Sequence, residues 1–281
     1  MMRRGKVALL RLRRLARELR TRLVQAPRER VVVLGLVSGL SLAALVLMAW
    51  IVWPRPAPLP DFGAYEEVTE LKLAFFEFLL PRIEAENERI AGQRERLLAI
   101  AETVEAGASP GWLDRRWLAN LAEDYRVDPH EQSIEETIEV LLRRVDTVPP
   151  TLALVQAATE SGWGRSRFAV EANNLFGQWC YRRGCGLVPA NRPEGARHEV
   201  AAFDSPRESV ARYINNLNSH EAYRPLRVIR AQLREVGETP TAMALSDGLI
   251  LYSERREDYV EEVRTVIRQN QPLIEEVRKE S

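Results

Sequence analysis

The sequence predicts a mainly α-helical protein of the α+β class, with one small β-hairpin inserted among the helices and a membrane-spanning helix near the amino terminus. Beyond about residue 66, apolar residues recur at three- and four-residue steps, which is typical of helices packed on a core. Between Gly177 and Ser205 this period gives way to glycines, prolines and a short alternating run, the pattern of a hairpin. Residues 31–53 contain no charged side chain, which predicts a membrane span.

The amino-terminal region has the charge pattern of a single-pass anchor. Residues 1–30 contain eleven Lys or Arg and two acidic residues, and the uncharged stretch 31–53 follows. At about 1.5 Å per residue, this stretch can cross a hydrocarbon core of about 30 Å. Because basic residues stay in the cytoplasm, we expect a cytoplasmic amino terminus, an inner-membrane anchor and a periplasmic remainder. The alternative is a cleaved signal peptide, but its apolar region would be only about 7–15 residues and would end in small residues, not in Trp53 and Pro54.

The charge that remains outside the predicted membrane span is acidic. Of forty basic and forty acidic residues, the first thirty positions take eleven and two, which leaves 29 basic and 38 acidic residues. Nucleic-acid binding needs a basic surface, so a nucleic-acid partner is not expected. The basic amino-terminal segment can lie along anionic lipids, or it can act only as a topology signal. The sequence contains no glycine-rich phosphate loop and no histidine pattern for zinc, so we expect neither a cofactor nor a metal. It indicates no particular protein partner.

A spacer and a helical arm follow the predicted span. Residues 54–65 include the sequence PRPAPLP, which favours a short, stiff, extended spacer. Residues 66–146 form a predicted arm and support region. It begins with a long helix from Glu66 to about Glu105, kinked at Pro81, and two shorter helical patterns follow at Trp112–Tyr125 and Ile134–Val145. We expect these helices to have a packing role.

The most informative helix ends in a single carboxylate, Glu160. Pro150 suits a first helical position, and in Leu152–Ala158 only Gln156 is polar, so the helix should be buried on most sides. Gly162 is placed to end it, which puts Glu160 in the last turn. Apolar surroundings and the negative end of the helix would both raise the pKa of Glu160, as a general acid requires. The alternative is an exposed glutamate that caps a core helix.

The predicted hairpin contains both cysteines of the chain. Cys180 and Cys185 are separated by four residues, and an alternating run from His198 to Phe203 follows them. In an oxidising compartment we expect a disulfide that closes the short loop, although two unpaired buried thiols are also compatible with the sequence.

The carboxyl-terminal part returns to helical periodicity. Helices are predicted at Pro206–Ser219, Tyr223–Leu233 and Tyr259–Ile267, and residues 271–281 are predicted to be a tail.

Two motifs resemble the signature of a known family. The pattern A-x-x-E-S-G-W-G, followed about ten residues later by N-N-L-F-G, resembles the glucosaminidases of glycoside hydrolase family 73, which are peptidoglycan hydrolases with a lysozyme-like fold. The segments LAFFEFLLPRIEAENERI, GQWCYRRGCGLVP and LYSERREDYVEEVRTVIRQN are similar to the Bax-like branch of that family. The resemblance runs from about Glu66 to Asn270. It implies a lysozyme-like catalytic domain over residues 147–270.

The resemblance implies roles for three residues. Glu160 would protonate the leaving oxygen of a glycosidic bond, and matching LILYSERREDYVEEV to the family places its catalytic tyrosine at Tyr252. No acid clearly occupies the place of the family's second carboxylate, where Asn191 or its neighbours fall. Glu194, Glu199 and Asp204 are nearby candidates. Glu199 is favoured among them because its alternating neighbours put it on a strand that could face the cleft, although a solvated glutamate of the hairpin is the alternative. The N-acetyl group of the substrate could act in its place.

Six further residues are candidates for substrate binding. Aromatic rings at Trp163, Phe176, Trp179 and Tyr223 could stack on sugars, although each could also belong to the core. Asn173 and Asn174 match the N-N-L-F-G motif, and adjacent amides after a helix favour bonds to loop backbone at the cleft wall.

The predicted function is a membrane-anchored endo-β-N-acetylglucosaminidase that cleaves peptidoglycan glycan strands after N-acetylglucosamine. A lytic transglycosylase on the same substrate is an alternative. A catalytically weak glycan-binding or scaffold protein of the cell envelope is another.

Overall fold

Helices account for most of the chain in the computed structural model, as the sequence predicts. The structure describes residues 38–39, 41–45, 48, 57–129, 131–190, 192 and 195–280. The predicted cytoplasmic segment 1–30 lies outside these residues, as do most of the predicted span 31–53 and the first three residues of the spacer.

The chain divides into two units, Met1–Arg55 and Pro56–Ser281. In the first unit, the described residues 38, 39, 41–45 and 48 are helical and exposed. Within the described residues, no helix combines the length and apolarity that a membrane crossing requires. The second unit contains all of the elements that follow. The division between an arm at 66–146 and a catalytic domain at 147–270 stays a prediction.

The second unit contains nine described α-helices and three short strands. The helices are α1 (Val68–Glu105), α2 (Trp112–Asp124), α3 (Ile134–Arg144), α4 (Pro150–Ser161), α5 (Arg167–Ala172), α6 (Pro206–Ser219), α7 (Arg224–Glu235), α8 (Ala242–Ser246) and α9 (Glu257–Glu280). The strands are β1 (Trp179–Cys180), β2 (Gly186–Leu187) and β3 (Glu199–Ala201). Short 3-10 turns lie at Phe62–Ala64, Glu221–Tyr223 and Asp247–Leu249.

The long helix α1 supplies one side of the core. Its buried face packs against α3, α4, α6 and α9, so the predicted arm lies directly on the helices that follow it. The helix continues through Pro81 as one assigned element.

Helix α9 is longer than the sequence predicted. It continues through Pro272 to Glu280, so residues 271–280, which were predicted to be a carboxyl-terminal tail, belong to the helix. Ile274 and Val277 extend its apolar face and are both buried in the core, which offsets the hydrogen bond that Pro272 cannot donate.

Helix α4 lies at the centre of the unit and confirms the prediction for its ends. It begins with Pro150 in the first turn and ends at Gly162, which has a φ of 57° in the left-handed region. Every residue from Thr151 to Ala158 is buried, because α1, α8 and α9 pack around it. Such a helix holds its last turn in a fixed place.

A buried ionic cluster fixes the chain just before α4. The Arg230 guanidinium of α7 donates to the main-chain carbonyls of Asp146 and Thr147 at 3.3 and 3.1 Å. Burial alone would raise the pKa of the Asp146 carboxyl, but Arg230, Arg234 and Arg94 around it lower the pKa below its usual range. The cluster therefore joins the entry of α4 to α7.

The predicted hairpin is a three-stranded antiparallel sheet in the order β1-β3-β2. The central strand β3 pairs Val200 with Trp179 on one side and with Leu187 on the other. The alternating run of residues predicts β3, whereas β1 and β2 are two residues long and carry no alternation from which they could be predicted.

Candidate active site

Glu160 lies in the last turn of α4 and is half-buried. The turn that follows is fixed by Ser161, whose buried Oγ accepts the N–H of Gly164 at 2.7 Å and donates to the carbonyl of Ala157. The carboxylate therefore emerges from a rigid helix end.

A buried tyrosine binds one oxygen of this carboxylate. Tyr259, in the first turn of α9, donates its hydroxyl proton to Glu160 Oε1 at 2.8 Å. Gln156 Nε2 donates to the Tyr259 hydroxyl oxygen at 2.9 Å, and the Tyr213 hydroxyl donates to Gln156 Oε1 at 2.6 Å. Gln156, Tyr213 and Tyr259 are all fully buried, so these bonds are shielded from water.

The chain of hydrogen bonds has a direction. The two ends of the Gln156 amide differ, since its oxygen accepts from Tyr213 and its NH₂ group donates to Tyr259. The Tyr259 oxygen is thus an acceptor for Gln156, and its own proton points to Glu160 Oε1. Oε1 is occupied as an acceptor, so a protonated Glu160 carries its proton on Oε2.

The second oxygen, Oε2, lies beside Gly177. A Cβ atom built on Gly177 would lie 3.3 Å from Glu160 Oε2, and the φ of Gly177 is 63°, in the left-handed region that favours glycine. Gly177 is exposed, so Oε2 is at the open edge of the site.

The surroundings raise the pKa of Glu160. Burial is the largest cause, and the negative charge of Glu262 acts in the same direction. The hydrogen bond from Tyr259 and the positive charge of Arg255 lower the pKa in part. Arg255 is itself paired with Glu262 at 2.5 Å. Glu160 therefore keeps its proton to a higher pH than an ordinary glutamic acid, which suits a general acid.

The predicted catalytic tyrosine, Tyr252, lies against Tyr259. Their rings stack with centroids 5.4 Å apart and planes 3° from parallel, and the Tyr252 hydroxyl donates to the carbonyl of Phe176 at 2.8 Å. Burial raises the pKa of both phenols well above the usual range, and the charge of Glu160 adds to the shift. Both therefore stay neutral and can donate. Tyr252 therefore lies at the site, as predicted, but the tyrosine that is hydrogen-bonded directly to Glu160 is Tyr259.

The aromatic residues predicted to stack on sugars are mostly covered by protein. The ring of Trp163 makes an edge contact with Phe76 of α1, with centroids 5.4 Å apart. Phe176 is buried and stacks on Tyr213 at 3.9 Å, and Tyr223 is also buried. Phe176 and Tyr223 are therefore core residues beside the site, where the ring of Tyr223 lies 5.7 Å from that of Tyr252.

The two predicted asparagines hold the loop that contains Gly177. Asn174 Nδ2 donates to the carbonyls of Gln178 and Ala201, both at 2.8 Å, and its Oδ1 accepts the N–H of Gln178. Asn173 Nδ2 donates to the carbonyl of Phe203 at 2.9 Å. Both amides bind backbone and so set the position of the loop beside Glu160.

Glu199 and the disulfide hold a second loop. The Cys180–Cys185 disulfide is present, which confirms the prediction. Glu199 is 5% exposed, and its Oε1 and Oε2 accept the N–H groups of Gly184 and Gly186 at 3.1 and 3.0 Å. These backbone bonds lower the pKa of Glu199, so it is an ionised acceptor within the loop. Its role as a second catalytic group stays a prediction; Asn191 and Glu194 lie outside the described residues.

In the part of the chain that the structure describes, one group of side chains could offer ligands to a metal ion, and it lies in this loop. It consists of Cys180, Cys185 and Glu199, whose ligand atoms lie within 4.8 Å of one another. Because the two sulfurs are bonded to each other, the group offers no thiolate to a metal.

A cavity of about 660 Å³ lies at the other end of α4, next to Val148, Pro150 and Thr241. Glu160 is ten residues beyond Pro150, about 15 Å along the helix. This cavity is therefore separate from the carboxylate.

Sequence reasoning missed three residues of the site: Gln156, Tyr213 and Tyr259. One signal was available for Gln156, which is the single polar residue in an apolar run and lies four residues before Glu160. That spacing puts both side chains on the same face of the helix. The tyrosines come from distant segments, so no local pattern predicts their contact.

Comparisons with known proteins find similarities to a protein family, to a characterised sequence and to a solved structure. A family model, "Glucosaminidase: Mannosyl-glycoprotein endo-beta-N-acetylglucosaminidase", matches residues 136–272. "Protein bax" of Escherichia coli (strain K12) is 34% identical over 220 residues, which cover 78% of this chain and 77% of that protein. A solved structure of a C-terminally truncated glycoside hydrolase domain from Salmonella typhimurium FlgJ is 21% identical and covers 44% of this chain and 85% of that domain, with a TM-score of 0.32.

The resemblance found in the sequence is confirmed by the family model and by the similarity to the E. coli protein over more than three quarters of both chains. The chain belongs to the glucosaminidase family of glycoside hydrolases.

Proposed function

We propose that this protein is an endo-β-N-acetylglucosaminidase that cleaves peptidoglycan glycan strands after N-acetylglucosamine, with Glu160 as the general acid. One observation carries the proposal. Glu160 has a raised pKa, with one oxygen bound to Tyr259 and the other beside the exposed Gly177. A glycosidase needs such a proton donor beside the scissile bond.

The geometry assigns separate tasks to the two oxygens of Glu160. Oε2 carries the proton and passes it to the oxygen of the leaving sugar as the glycosidic bond breaks. Glu160 then becomes negative, and the hydrogen bond from Tyr259 to Oε1 strengthens because its acceptor is now charged. Since Gln156 and Tyr213 already hold the Tyr259 hydroxyl in place, little reorganisation accompanies the proton transfer.

The second catalytic group is proposed to be the N-acetyl group of the substrate. Among the described residues, Glu262 near the site is paired with Arg255, and Glu199 is bound to loop N–H groups. In this route, which some glycosidases use, the acetamido oxygen attacks the anomeric carbon and displaces the leaving oxygen as Glu160 protonates it. Water, which loses a proton to the Glu160 carboxylate, then opens the oxazolinium ring and gives the reducing end, so no protein carboxylate is needed as the nucleophile. Tyr252 borders the same site as a neutral phenol, whose proton is donated to the carbonyl of Phe176.

The same arrangement supports a second candidate, a lytic transglycosylase, because that reaction also uses one protonated acid. The products separate the two reactions. Hydrolysis leaves reducing N-acetylglucosamine ends, whereas transglycosylation leaves anhydro-muramic ends.

The location of the enzyme is proposed from the sequence of residues 1–53. A basic segment followed by an uncharged span places the amino terminus in the cytoplasm and the catalytic part, with a lysozyme-like fold over 147–270, in the periplasm. An oxidised Cys180–Cys185 pair suits that compartment. Protease added outside spheroplasts should remove the catalytic part, and complete protection would contradict this orientation.

The test of the proposed function is a digestion of purified peptidoglycan by the full-length chain in detergent, with the fragments identified by mass. We expect reducing N-acetylglucosamine ends, and a loss of about 10²- to 10⁴-fold in rate for Glu160→Gln. Glu238→Gln, a change at an exposed glutamate after α7, is the matched control and should keep the parental rate. Retention of Glu160→Gln on peptidoglycan together with no activity of the parent would indicate a binding protein.

A further inference from the structure

Trp179 presents an exposed aromatic surface on the small sheet. Its side chain lies on β1 and is 55% exposed, although tryptophan is among the more costly residues to leave in water. The indole stacks on the imidazole of His198, with centroids 4.3 Å apart and planes 12° from parallel. This stack, called here the Trp179–His198 platform, holds a flat ring in a fixed orientation.

The backbone beneath the platform is rigid. β1 pairs with β3, so Trp179 is opposite Val200, and the disulfide at Cys180 begins directly after it. Arg192 donates to the carbonyl of His198 at 3.2 Å. A surface fixed in this way pays little ordering entropy when it binds a ligand.

The platform is close to the acid. Gly177, whose Cβ position is 3.3 Å from Glu160 Oε2, precedes Trp179 by two residues, so at most about 7 Å of backbone separates them. Asn174 fixes the intervening Gln178 through the Gln178 N–H, at 3.0 Å, and through its carbonyl. A glycan strand whose scissile bond lies at Glu160 would therefore reach the platform with a neighbouring sugar.

The surface around the platform is basic, in contrast to the rest of the exported chain. Tyr181 is 74% exposed, and Arg182, Arg183 and Arg197 are exposed as well. Residues 177–190 contain no acidic residue. Exposed arginines suit carboxylate groups, which they can bind in a bidentate manner.

We propose that the Trp179–His198 platform is a saccharide-stacking subsite for the glycan strand next to Glu160, and that Arg182 and Arg183 bind carboxylates of the peptide stems on that strand. The inference rests on the proposed function, because it takes peptidoglycan as the ligand. The apolar face of a pyranose ring lies flat on the indole, and the rigid sheet sets the register of the strand relative to Oε2.

The experiment measures binding, not turnover. Full-length Glu160→Gln protein in detergent is sedimented with purified sacculi, either intact or stripped of stem peptides. Trp179→Ala should weaken binding to both preparations by about tenfold or more, and Trp179→Phe should restore most of it because a flat ring remains. The double change Arg182→Gln and Arg183→Gln should weaken binding to intact sacculi only.

Trp112→Ala is the matched control, since Trp112 is 70% exposed but lies at the start of α2. It should bind as the parent does. Equal loss in Trp112→Ala and Trp179→Ala would overturn the proposal, as would undiminished binding by a folded Trp179→Ala protein. A Trp179-dependent attachment to anionic lipid vesicles with none to sacculi would also overturn it and would assign the surface to the membrane. A failure of the proposed function appears separately, as a Glu160→Gln protein that still digests peptidoglycan.

Discussion

The Tyr259 hydroxyl donates to Glu160 Oε1 at 2.8 Å, and this bond joins the first turn of α9 to the last turn of α4. It opposes the effect of burial on the acid, because a donor to a carboxylate favours the ionised form. The pKa of Glu160 is raised despite this bond. Tyr259 therefore limits the shift and keeps Oε1 occupied, so that the transferable proton is on Oε2.

Removing this donor should move the pH dependence of the reaction. In Tyr259→Phe, the pKa of Glu160 should rise further, since only the lowering contribution is lost. A general acid works while protonated, so the alkaline limb of kcat/KM should shift to higher pH. The pH profile of kcat/KM on soluble glycan strands measures this shift. A limb that moves to lower pH, or does not move, would contradict the assigned direction of the bond.

Gln156 should be needed to keep Tyr259 in place. Gln156→Leu leaves the buried hydroxyls of Tyr213 and Tyr259 without that partner, which should cost about 1–3 kcal/mol of stability. Tyr213→Phe removes only the far end of the chain of bonds and should cost about 1 kcal/mol. Denaturant unfolding measures both values. Because Gln156 and Tyr259 share one bond, the double variant Gln156→Leu, Tyr259→Phe should lose less than the sum of the single changes, and strict additivity would argue against the coupling.

A side chain at position 177 should reduce activity because it would contact the carboxyl group of Glu160. In Gly177→Ala, the new Cβ presses on Glu160 Oε2, and kcat/KM should fall about tenfold to hundredfold from the displaced proton donor. The left-handed backbone should add about 1 kcal/mol of instability. Gly237→Ala is the matched control, because Gly237 has a φ of 75° but nothing within 4 Å of its Cβ position. Equal stability losses with an activity loss only in Gly177→Ala are expected, and equal activity would refute the contact.

Glu199 should stabilise the disulfide loop in a pH-dependent manner. Its pKa is lowered in the folded protein, so its contribution to stability is present above its unfolded pKa of about 4.3 and is lost as the pH falls through the folded pKa. Glu199→Gln should therefore lower Tm at neutral pH and have a shrinking effect in acid. Thermal unfolding of both proteins across roughly pH 2–8, a range that spans the titration of carboxyl groups, tests this pH dependence. A loss of turnover beyond the loss of folded protein would instead favour the catalytic role that the sequence suggested.

Local patterns predicted the elements that depend on nearby residues. Pro150 and Gly162 gave the ends of α4, and the apolar run between them gave its burial, because helix capping and periodicity are properties of consecutive residues. The same reasoning placed Glu160 in the last turn. The same reasoning ended α9 too early, at Ile267. The helix continues through Pro272 to Glu280, because burial of Ile274 in the core compensates for the hydrogen bond that Pro272 cannot donate.

Contacts between distant segments were beyond the sequence. Tyr259 is 99 residues from Glu160, and Tyr213 is 57 residues from Gln156, so their meeting depends on how α4, α6 and α9 pack. The solvent exposure of individual aromatic side chains could not be predicted from the sequence either. Trp179 and Phe176 are both aromatic residues near a glycine, yet one is open to solvent and the other is covered by Tyr213.

The most direct test of Glu160 as the general acid compares two leaving groups. A natural glycan strand needs a proton on its departing oxygen, whereas a dinitrophenyl chitooligosaccharide leaves as a stable anion without one. Glu160→Gln should lose about 10²- to 10⁴-fold in kcat/KM on the glycan strand and far less on the dinitrophenyl substrate. The same loss on both substrates would contradict the account, because Glu160 would then be doing something other than donating its proton.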